Sequence, residues 1–403
     1  MKSFIVRSLL LLGALLVNAC NGVGGGSSAS PPGDVKVIPG DGGATVTWTM
    51  QPGVEYWLFS AASPTITPET WASLVQPKVV RNAVSPQIVT GLTNGTTYSI
   101  TINGRSSGGP GGSGSPSIAV VPRLAGLAWA LGAPLVSTDL RGLGFASINY
   151  PGIFVTVGAG GTAFISADAI TWTAVSTGVT TTLNAEAYGG GKHVAVGAGG
   201  TIINSLDAQT WATVTSPTTN DLNSVILGPN GLVAVGNNGT ILRSSDGGNG
   251  WNSGTSGTTN NLYGIATTGT VYIAVGANGT ILTSKDGDSW TAATSSTTQD
   301  LRSVAYSVTR TLAVAVGAKG TIVTSADLAT WASVTPVTTN NLNGISVGNQ
   351  FTVAGDAGTI VVSSDGVVWT PVPSGTTAKL NATIFGLLGY SIVGVGGVNL
   401  SSY

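Results

Sequence analysis

The sequence predicts an all-β chain: a β-sandwich domain followed by seven repeated four-stranded antiparallel sheets arranged in a ring. Three observations predict it. Tryptophans recur at 129, 172, 211, 251, 290, 331 and 369, with spacings of 43, 39, 40, 39, 41 and 38 residues; a period near 40 marks a repeat array. Ahead of the array, short apolar–polar alternations separated by Gly, Pro and Asp read as half-buried strands and turns. No stretch carries a helix signal.

Composition bounds the function. The 403 residues correspond to two or three domains at about 150 residues each. Charged residues are 8%, hydrophobic residues 42%, and the net charge is −1. A basic field for nucleic acid is excluded, because there is no charge excess to neutralise phosphates. Charge-driven disorder is excluded as well. One Cys and one His cannot build a Cys/His zinc site, and no metal or cofactor is expected.

Lys2 and Arg7 flank the start of an apolar run at 8–17. The run is shorter than the roughly 20 residues a membrane span needs and fits the apolar region of an export signal. Leu16-Val17-Asn18-Ala19-Cys20 resembles the bacterial lipobox. That resemblance implies a signal peptide over 1–20 and a lipidated Cys20 that anchors the mature chain without threading it through the bilayer. Asn21 is not the aspartate of inner-membrane retention, which favours the outer membrane or cell surface. The rival reading is a plain signal peptide with an incidental cysteine. Residues 21–33 (NGVGGGSSASPPG) read as a flexible Gly/Ser/Pro tether.

Residues 34–124 read as the sandwich. Val35, Val37 and 44–48 alternate with period two, with a turn over 39–43 (PGDGG) between them. Further strands are read at 54–59 and 99–103. The residues 108–116 (GGPGGSGSP) form a glycine-rich loop before a last strand at 118–121. Trp48, Leu92 and Tyr98 in this setting resemble a fibronectin type III domain. The resemblance implies a core Trp in the second strand and a tyrosine corner, in which the Tyr98 hydroxyl bonds back to the chain. Such domains are spacers or binding modules. No Arg-Gly-Asp triplet occurs.

Residues 127–403 hold the array. Each unit opens with a leucine (140, 183, 222, 262, 301, 342 and 380), runs through a second strand into Gly-x-x-Gly, then a third strand, then Ser-x-Asp, then Trp and a fourth strand. Four strands per unit of about 40 residues is the plan of a β-propeller blade. Six units are complete, and the seventh has three strands by Tyr403. The segment 129–134 is expected to supply its fourth strand and to close the ring, which removes exposed sheet edges.

The Ser/Asp/Trp element recurs at Ser166/Asp168/Trp172, Ser205/Asp207/Trp211, Ser244/Asp246/Trp251, Ser284/Asp286/Trp290, Ser325/Asp327/Trp331 and Ser363/Asp365/Trp369. It resembles the Asp-box, or BNR repeat, of sialidases. The element at 244–248 has the family's full spacing, and the other five are one residue shorter. The resemblance implies that the boxes stabilise the turn between third and fourth strands, away from any active site; Ser and Asp side chains satisfying backbone N–H groups agree with this. The pattern Ala-Val-Gly-x-x-Gly-Thr-Ile beside the box also resembles the photosystem II stability/assembly factor family, which are non-enzymatic seven-bladed propellers that bind membrane-protein intermediates. The arginine-rich partner surface of that family has no counterpart in this sequence.

Catalysis has little to work with. A sialidase needs an arginine triad, a Tyr/Glu nucleophile pair and an acid. The array holds Arg141, Arg243, Arg302 and Arg310 and one glutamate, Glu186, two residues before Tyr188. No catalytic residue is assigned, and His193 reads as a packed or surface histidine. The binding-face candidates are the residues before each opening leucine, Asp139, Thr182, Asp221, Asn261, Asp300, Asn341 and Lys379, together with Arg141 and Arg302. They are expected at one mouth of the channel, on the face of the Gly-x-x-Gly turns. The bland reading is that they cap turns; the functional one is that they hold a cation or contact a polar ligand.

The expected function is therefore an envelope-anchored, monomeric, non-catalytic protein that binds a protein or polysaccharide and touches the membrane only through its lipid. The alternatives are a sialidase-like glycoside hydrolase and an extracytoplasmic assembly or scaffolding factor. Truncation after Ser391 is expected to abolish cooperative thermal unfolding of the array. A truncated chain that melts like the full one contradicts ring closure by the terminal strands.

Overall fold

The structure, a computed structural model, describes residues 26–75, 77–147 and 152–402. The expected signal segment 1–20, Cys20 and the first part of the tether lie outside the described residues. The chain divides into two units, the first ending at Leu124 and the second spanning Ala125–Ser402. No helix among the described residues is long and apolar enough to cross a membrane.

Among the described residues, the first unit has eight strands: β1 (Ser27–Ala29), β2 (Lys36–Gly40), β3 (Gly43–Thr47), β4 (Glu55–Ala61), β5 (Lys78–Ala83), β6 (Gln87–Thr90), β7 (Tyr98–Ser106) and β8 (Ile118–Val120). One sheet runs β2-β3-β6. The other runs β1-β7-β4-β5, with β8 also on β7. Alternate residues of the two sheets, with Trp48 and Leu92 just beyond strand ends, form one core that includes Val46, Trp48, Tyr56, Leu58, Val89, Leu92, Tyr98, Ile100 and Ile102. Trp48 and Tyr56 meet edge-on at 5.8 Å. The Tyr98 hydroxyl accepts the Thr93 N–H at 3.2 Å, a bond back to the chain just upstream. The β2–β3 turn is tighter than the sequence suggested, because Pro39 and Gly40 are still paired and only Asp41 and Gly42 lie between the strands. The tether reading also needs correction. Ser27–Ala29 is not a free linker but pairs with Ser106, Arg105 and Gly104. Small side chains let it lie against Gly104, where any Cβ would press on the Ser30 carbonyl.

Among the described residues, the second unit consists of seven four-stranded antiparallel sheets. The first six span 140–176, 183–214, 222–253, 262–292, 301–334 and 342–372. The seventh has Leu380–Gly386, Gly389–Gly394 and Asn399–Ser402, with β9 (Ala130–Leu131) as its outer strand. Leu131 and Ala130 pair with Leu400 and Ser401. The join is reinforced by Gly132 N–H to the Asn399 carbonyl at 3.0 Å and Asn399 Nδ2 to the Ala133 carbonyl at 2.7 Å.

Each fully buried opening leucine begins the innermost strand, and the second strand of each sheet is buried on both faces and mostly apolar, with Thr156, His193, Thr352 and Ser391 as the buried polar exceptions. In Leu312–Gly317, Ala313 and Ala315 pack toward the fourth sheet, while Val314 and Val316 pack toward the sixth. The tryptophans lie in these inter-sheet cores. Trp251 sits with Val194, Val196 and Ile202 of the sheet before it, and Trp331 with Ile273 and Val275. Leu380, Ile392 and Leu400 pack on Ala354 and Ile360 of the sixth sheet, with Trp129 against them. Val393 of the seventh joins Leu140, Leu143 and Phe164 of the first.

The Gly-x-x-Gly turn explains why the repeat tolerates so little variation at its glycines. The first glycine of each turn lies under the carbonyl of the residue before the opening leucine. That carbonyl accepts the next N–H, as in Ala159 N–H to Asp139 O at 2.8 Å and Ala277 N–H to Asn261 O at 2.8 Å. The last glycine has φ of +67° to +73°, the left-handed region that favours glycine. A Cβ there would collide with a backbone carbonyl after the fourth strand, such as Thr258 O beside Gly239 or Thr338 O beside Gly320.

Candidate functional site

The six Ser-x-Asp elements build one device. Each serine hydroxyl donates to the Asp Oδ1 two residues on, at 2.8–3.0 Å. In five elements that oxygen also accepts the N–H groups two and three residues beyond the aspartate, as with Ala329 and Thr330 on Asp327 at 2.9 Å. At Asp246 the extra residue moves the donors to Asn249 and Gly250. The Trp indole N–H of Trp211, Trp290, Trp331 and Trp369 then donates to the carbonyl three residues back. Ser166, Asp168 and the other box serines and aspartates are thus occupied in holding a turn, whereas the indole N–H groups of Trp172 and Trp251 make no such bond and these two rings serve through packing.

Five of the seven residues before the opening leucines also prove to be occupied; Thr182 enters only through its backbone carbonyl, which accepts the Ala198 N–H. The side chains of the five reach the Gly-x-x-Gly turn of the preceding sheet. Asp221 Oδ1 accepts the Gly199 N–H at 2.8 Å, Asn261 Oδ1 that of Asn238 at 2.9 Å, Asp300 Oδ1 that of Asn278 at 3.0 Å, and Asn341 Oδ1 that of Lys319 at 3.0 Å. Asp139 of the first sheet reaches Gly396 of the seventh at 3.2 Å. Asn278 and Lys319 have φ of +56° and +54°, so their N–H groups point out of the turn toward these acceptors. Lys379 breaks the pattern, since an ammonium cannot accept. It lies instead near Asp356. Burial raises the Asp356 pKa, but hydrogen bonds from Asn343 and Asn341 and the charges of Lys379 and Arg302 outweigh it and hold the carboxyl below its usual range. Among the described residues, no three His, Cys, Asp or Glu gather at a metal-sized site.

The surface left over is the next residue along. Arg141, Asn184, Asn223, Tyr263, Arg302, Asn343 and Asn381 follow the seven opening leucines and line one cavity of about 550 Å³ between the inner strands. The four asparagines stitch neighbouring sheets: each Nδ2 donates to the opening leucine carbonyl of the following sheet, Asn381 to Leu140 included, at 2.7–2.9 Å. Arg141 and Arg302 donate to Asn184 Oδ1 at 3.3 Å and Asn343 Oδ1 at 2.6 Å. A smaller cavity of about 360 Å³ brings together Tyr263, Asp300, Arg302, Asn343, Lys379 and Asn381. Sequence reasoning picked out only the two arginines of this ring. A signal for the rest existed: seven residues, all Asn, Arg or Tyr, at one fixed offset in strands where the next inward positions are small or apolar.

Glu186 does not present a nucleophile. Its side chain and that of His193 are each 1% exposed, and Nδ1 and Oε1 lie 2.8 Å apart. Burial pushes the Glu186 carboxyl up, opposed by the contact with His193. Gly144 of the first sheet covers the other oxygen, since a Cβ there would strike it. Tyr188 stacks on His193 edge-on at 5.0 Å. Arg243 pairs with Asp288 of the next sheet. Arg310 bonds the Asn349 and Ser364 carbonyls of the sixth. Only Arg141 and Arg302 of the four reach the channel.

No protein-family model matches this chain, and no curated protein matches it. Solved structures do. YCF48 from Cyanidioschyzon merolae is 18% identical with a TM-score of 0.56, over 68% of this chain and 98% of that one. A structure of YCF48 bound to D1 peptide is 17% identical, also with a TM-score of 0.56, over 68% of this chain and 94% of that one. These likenesses establish the β-propeller fold of the array.

The boxes carry a pH dependence. Backbone N–H groups, those of Thr210, Gly250, Ser289, Thr330 and Val368 foremost, hold Asp207, Asp246, Asp286, Asp327 and Asp365 below the usual carboxylate range. A carboxylate whose folded pKa is depressed contributes stability that is full above its unfolded value, about 3.9, and is lost as pH falls through the folded value. Differential scanning calorimetry is expected to give an array melting temperature insensitive to these groups above about pH 5 and falling steeply below about pH 4. With Asp327→Asn, that fall is expected to be shallower.

Proposed function

We propose that the chain is an envelope-anchored, non-catalytic binding protein whose seven-bladed propeller takes a protein partner at the channel mouth lined by Tyr263, Arg302, Asn343 and Lys379. In this reading residues 1–20 are a lipoprotein signal with Cys20 as the lipidation site, and residues 34–124 are a fibronectin type III spacer. The propeller of 127–403 closes through β9 and the seventh sheet, and the chain works as a monomer at the outer membrane or cell surface. The pairing of β9 with Asn399–Ser402 and the Val393 contact to the first sheet support closure. The two-sheet order of the first unit and the Tyr98 hydroxyl bond support the spacer assignment.

The observation that carries the reading is the chemistry of the mouth. It combines two arginines, a lysine, a tyrosine and several carboxamides, which suits mixed polar and aromatic recognition of a polypeptide. The glutamate a hydrolase would need is buried against His193. A glycosidase of the two-carboxylate kind needs a facing pair, and the channel wall does not offer one among the described residues. YCF48, which shares the fold, has been solved with a D1 peptide bound, so a propeller of this kind accommodates a polypeptide ligand.

A photo-crosslinking residue in place of Tyr263, in tagged full-length protein expressed in cells with a Cys20→Ser control, tests this. The expected result is one dominant protein adduct that Arg302→Glu reduces at least ten-fold while the melting temperature is unchanged. Retention on cell-wall or capsular polysaccharide with no protein adduct contradicts it. Turnover of a fluorogenic sialoside that is lost in Glu186→Gln contradicts it as well.

A further inference from the structure

The outward face of the larger sheet in the first unit is covered rather than open. The segment 62–75 folds over one part, with Trp71 edge-on to Phe59 at 5.2 Å and 90°. The loop 107–117 lies flat along β7, held by Ser115 N–H to the Ile102 carbonyl at 2.7 Å and Gly112 N–H to the Gly104 carbonyl at 3.0 Å. The loop fits because it is glycine-rich: a Cβ at Gly111 would collide with the Asn103 carboxamide, and one at Gly114 with the Thr101 hydroxyl. The Ile66 N–H donates to Ser117 Oγ at 3.1 Å and ties the two covers together.

Between them is a cavity of about 500 Å³, within the size range of small-molecule sites. Phe59, Ile66, Pro68 and Trp71 form its apolar walls, Thr101 and Asn103 lie at its floor, and no charged residue lines it among those described.

The same sheet face holds buried polar atoms that have no hydrogen-bond partner. They are Asn103 Oδ1, Trp57 Nε1, Arg105 Nε and Ser99 Oγ. Trp57 and Asn103 face each other directly across the β4–β7 ladder. The Arg105 guanidinium lies 3.5 Å over the Trp57 ring, with Arg81 at 4.8 Å. Asn103 itself is only 2% exposed. Buried polar groups in folded proteins are nearly all paired, and ligand sites join apolar walls to a few polar groups that set orientation. Here both features meet at Asn103, the one of these four residues that lines the cavity.

We propose that this cavity is a binding site for a small, uncharged, mostly apolar ring compound that carries one N–H or O–H donor. Phe59 and Trp71 present ring edges and faces to the compound's ring, and the Asn103 carboxamide receives its donor. The absence of a charged lining residue selects against ionic ligands, because burying an unpaired charge is costly. The site is independent of the propeller mouth and of the function proposed for it.

N-phenyl-1-naphthylamine tests the site. It is uncharged, has two aromatic groups and a single N–H, and brightens in apolar surroundings. Titrated into the full chain, it is expected to saturate at one dye per chain with a micromolar dissociation constant. Thr65→Phe and Ser113→Phe fill the cavity from its exposed rim and leave the core untouched. Each is expected to weaken dye binding at least ten-fold with an unchanged melting temperature, and Asn103→Leu to weaken it while keeping the rim intact. A signal that does not saturate, or an affinity unchanged in both rim variants, overturns the proposal.

Discussion

The array depends on one crossing of the chain. At every Gly-x-x-Gly turn, the backbone passes under a carbonyl of its own sheet and beside a carbonyl that follows the fourth strand. Neither crossing leaves room for a Cβ. At five of the seven turns an outward N–H is then capped by an Asp or Asn side chain of the next sheet. One motif therefore fixes the hairpin within a sheet and the position of the neighbouring sheet. The tryptophan cores supply apolar burial between sheets, but they are not directional; the capped turns supply the registration.

This division of labour accounts for the use of charge. With 16 Asp and Glu in the chain, the six box aspartates hold turns, and Asp139, Asp221 and Asp300 cap turns of neighbouring sheets. The residues that remain for recognition are the ones just inside, at the start of the innermost strands. The first unit shows the opposite economy. Its outward sheet face carries polar side chains and then covers them with a glycine-rich loop, so an unpaired acceptor, Asn103 Oδ1, ends up beside a cavity with apolar walls.

Much of this was legible in the sequence. The tryptophan period, the Gly-x-x-Gly turns and the Ser-x-Asp boxes located every sheet of the array, because each element is local and recurs at the same offset. The cross-sheet caps were legible only as a row of Asp and Asn. Their partners lie about 20 residues away in the preceding sheet, and a row of polar residues reads equally well as a binding face. The Glu186–His193 pair spans a hairpin, and its burial depends on Gly144 of another sheet, which no local pattern records. Ser27–Ala29 has neither apolar alternation nor β-branched residues, so its pairing with β7 was hidden in a segment that reads as a tether. The cavity of the first unit was hidden for a related reason: a glycine-rich loop reads as a linker until the sheet it lies on is known.

The most direct measurement is the unfolding free energy of Gly320→Ala beside Lys319→Gly, followed by tryptophan fluorescence in urea. Both residues have positive φ, +71° and +54°, but only position 320 faces a carbonyl, that of Thr338. The account predicts that Gly320→Ala costs more than about 2 kcal/mol, from left-handed strain plus the carbonyl clash. It predicts that Lys319→Gly is neutral or nearly so, because glycine adopts that conformation freely and the outward N–H keeps its Asn341 cap. A Gly320→Ala chain as stable as the parent, or equal losses at the two positions, would contradict the claim that the crossing sets the register of the array.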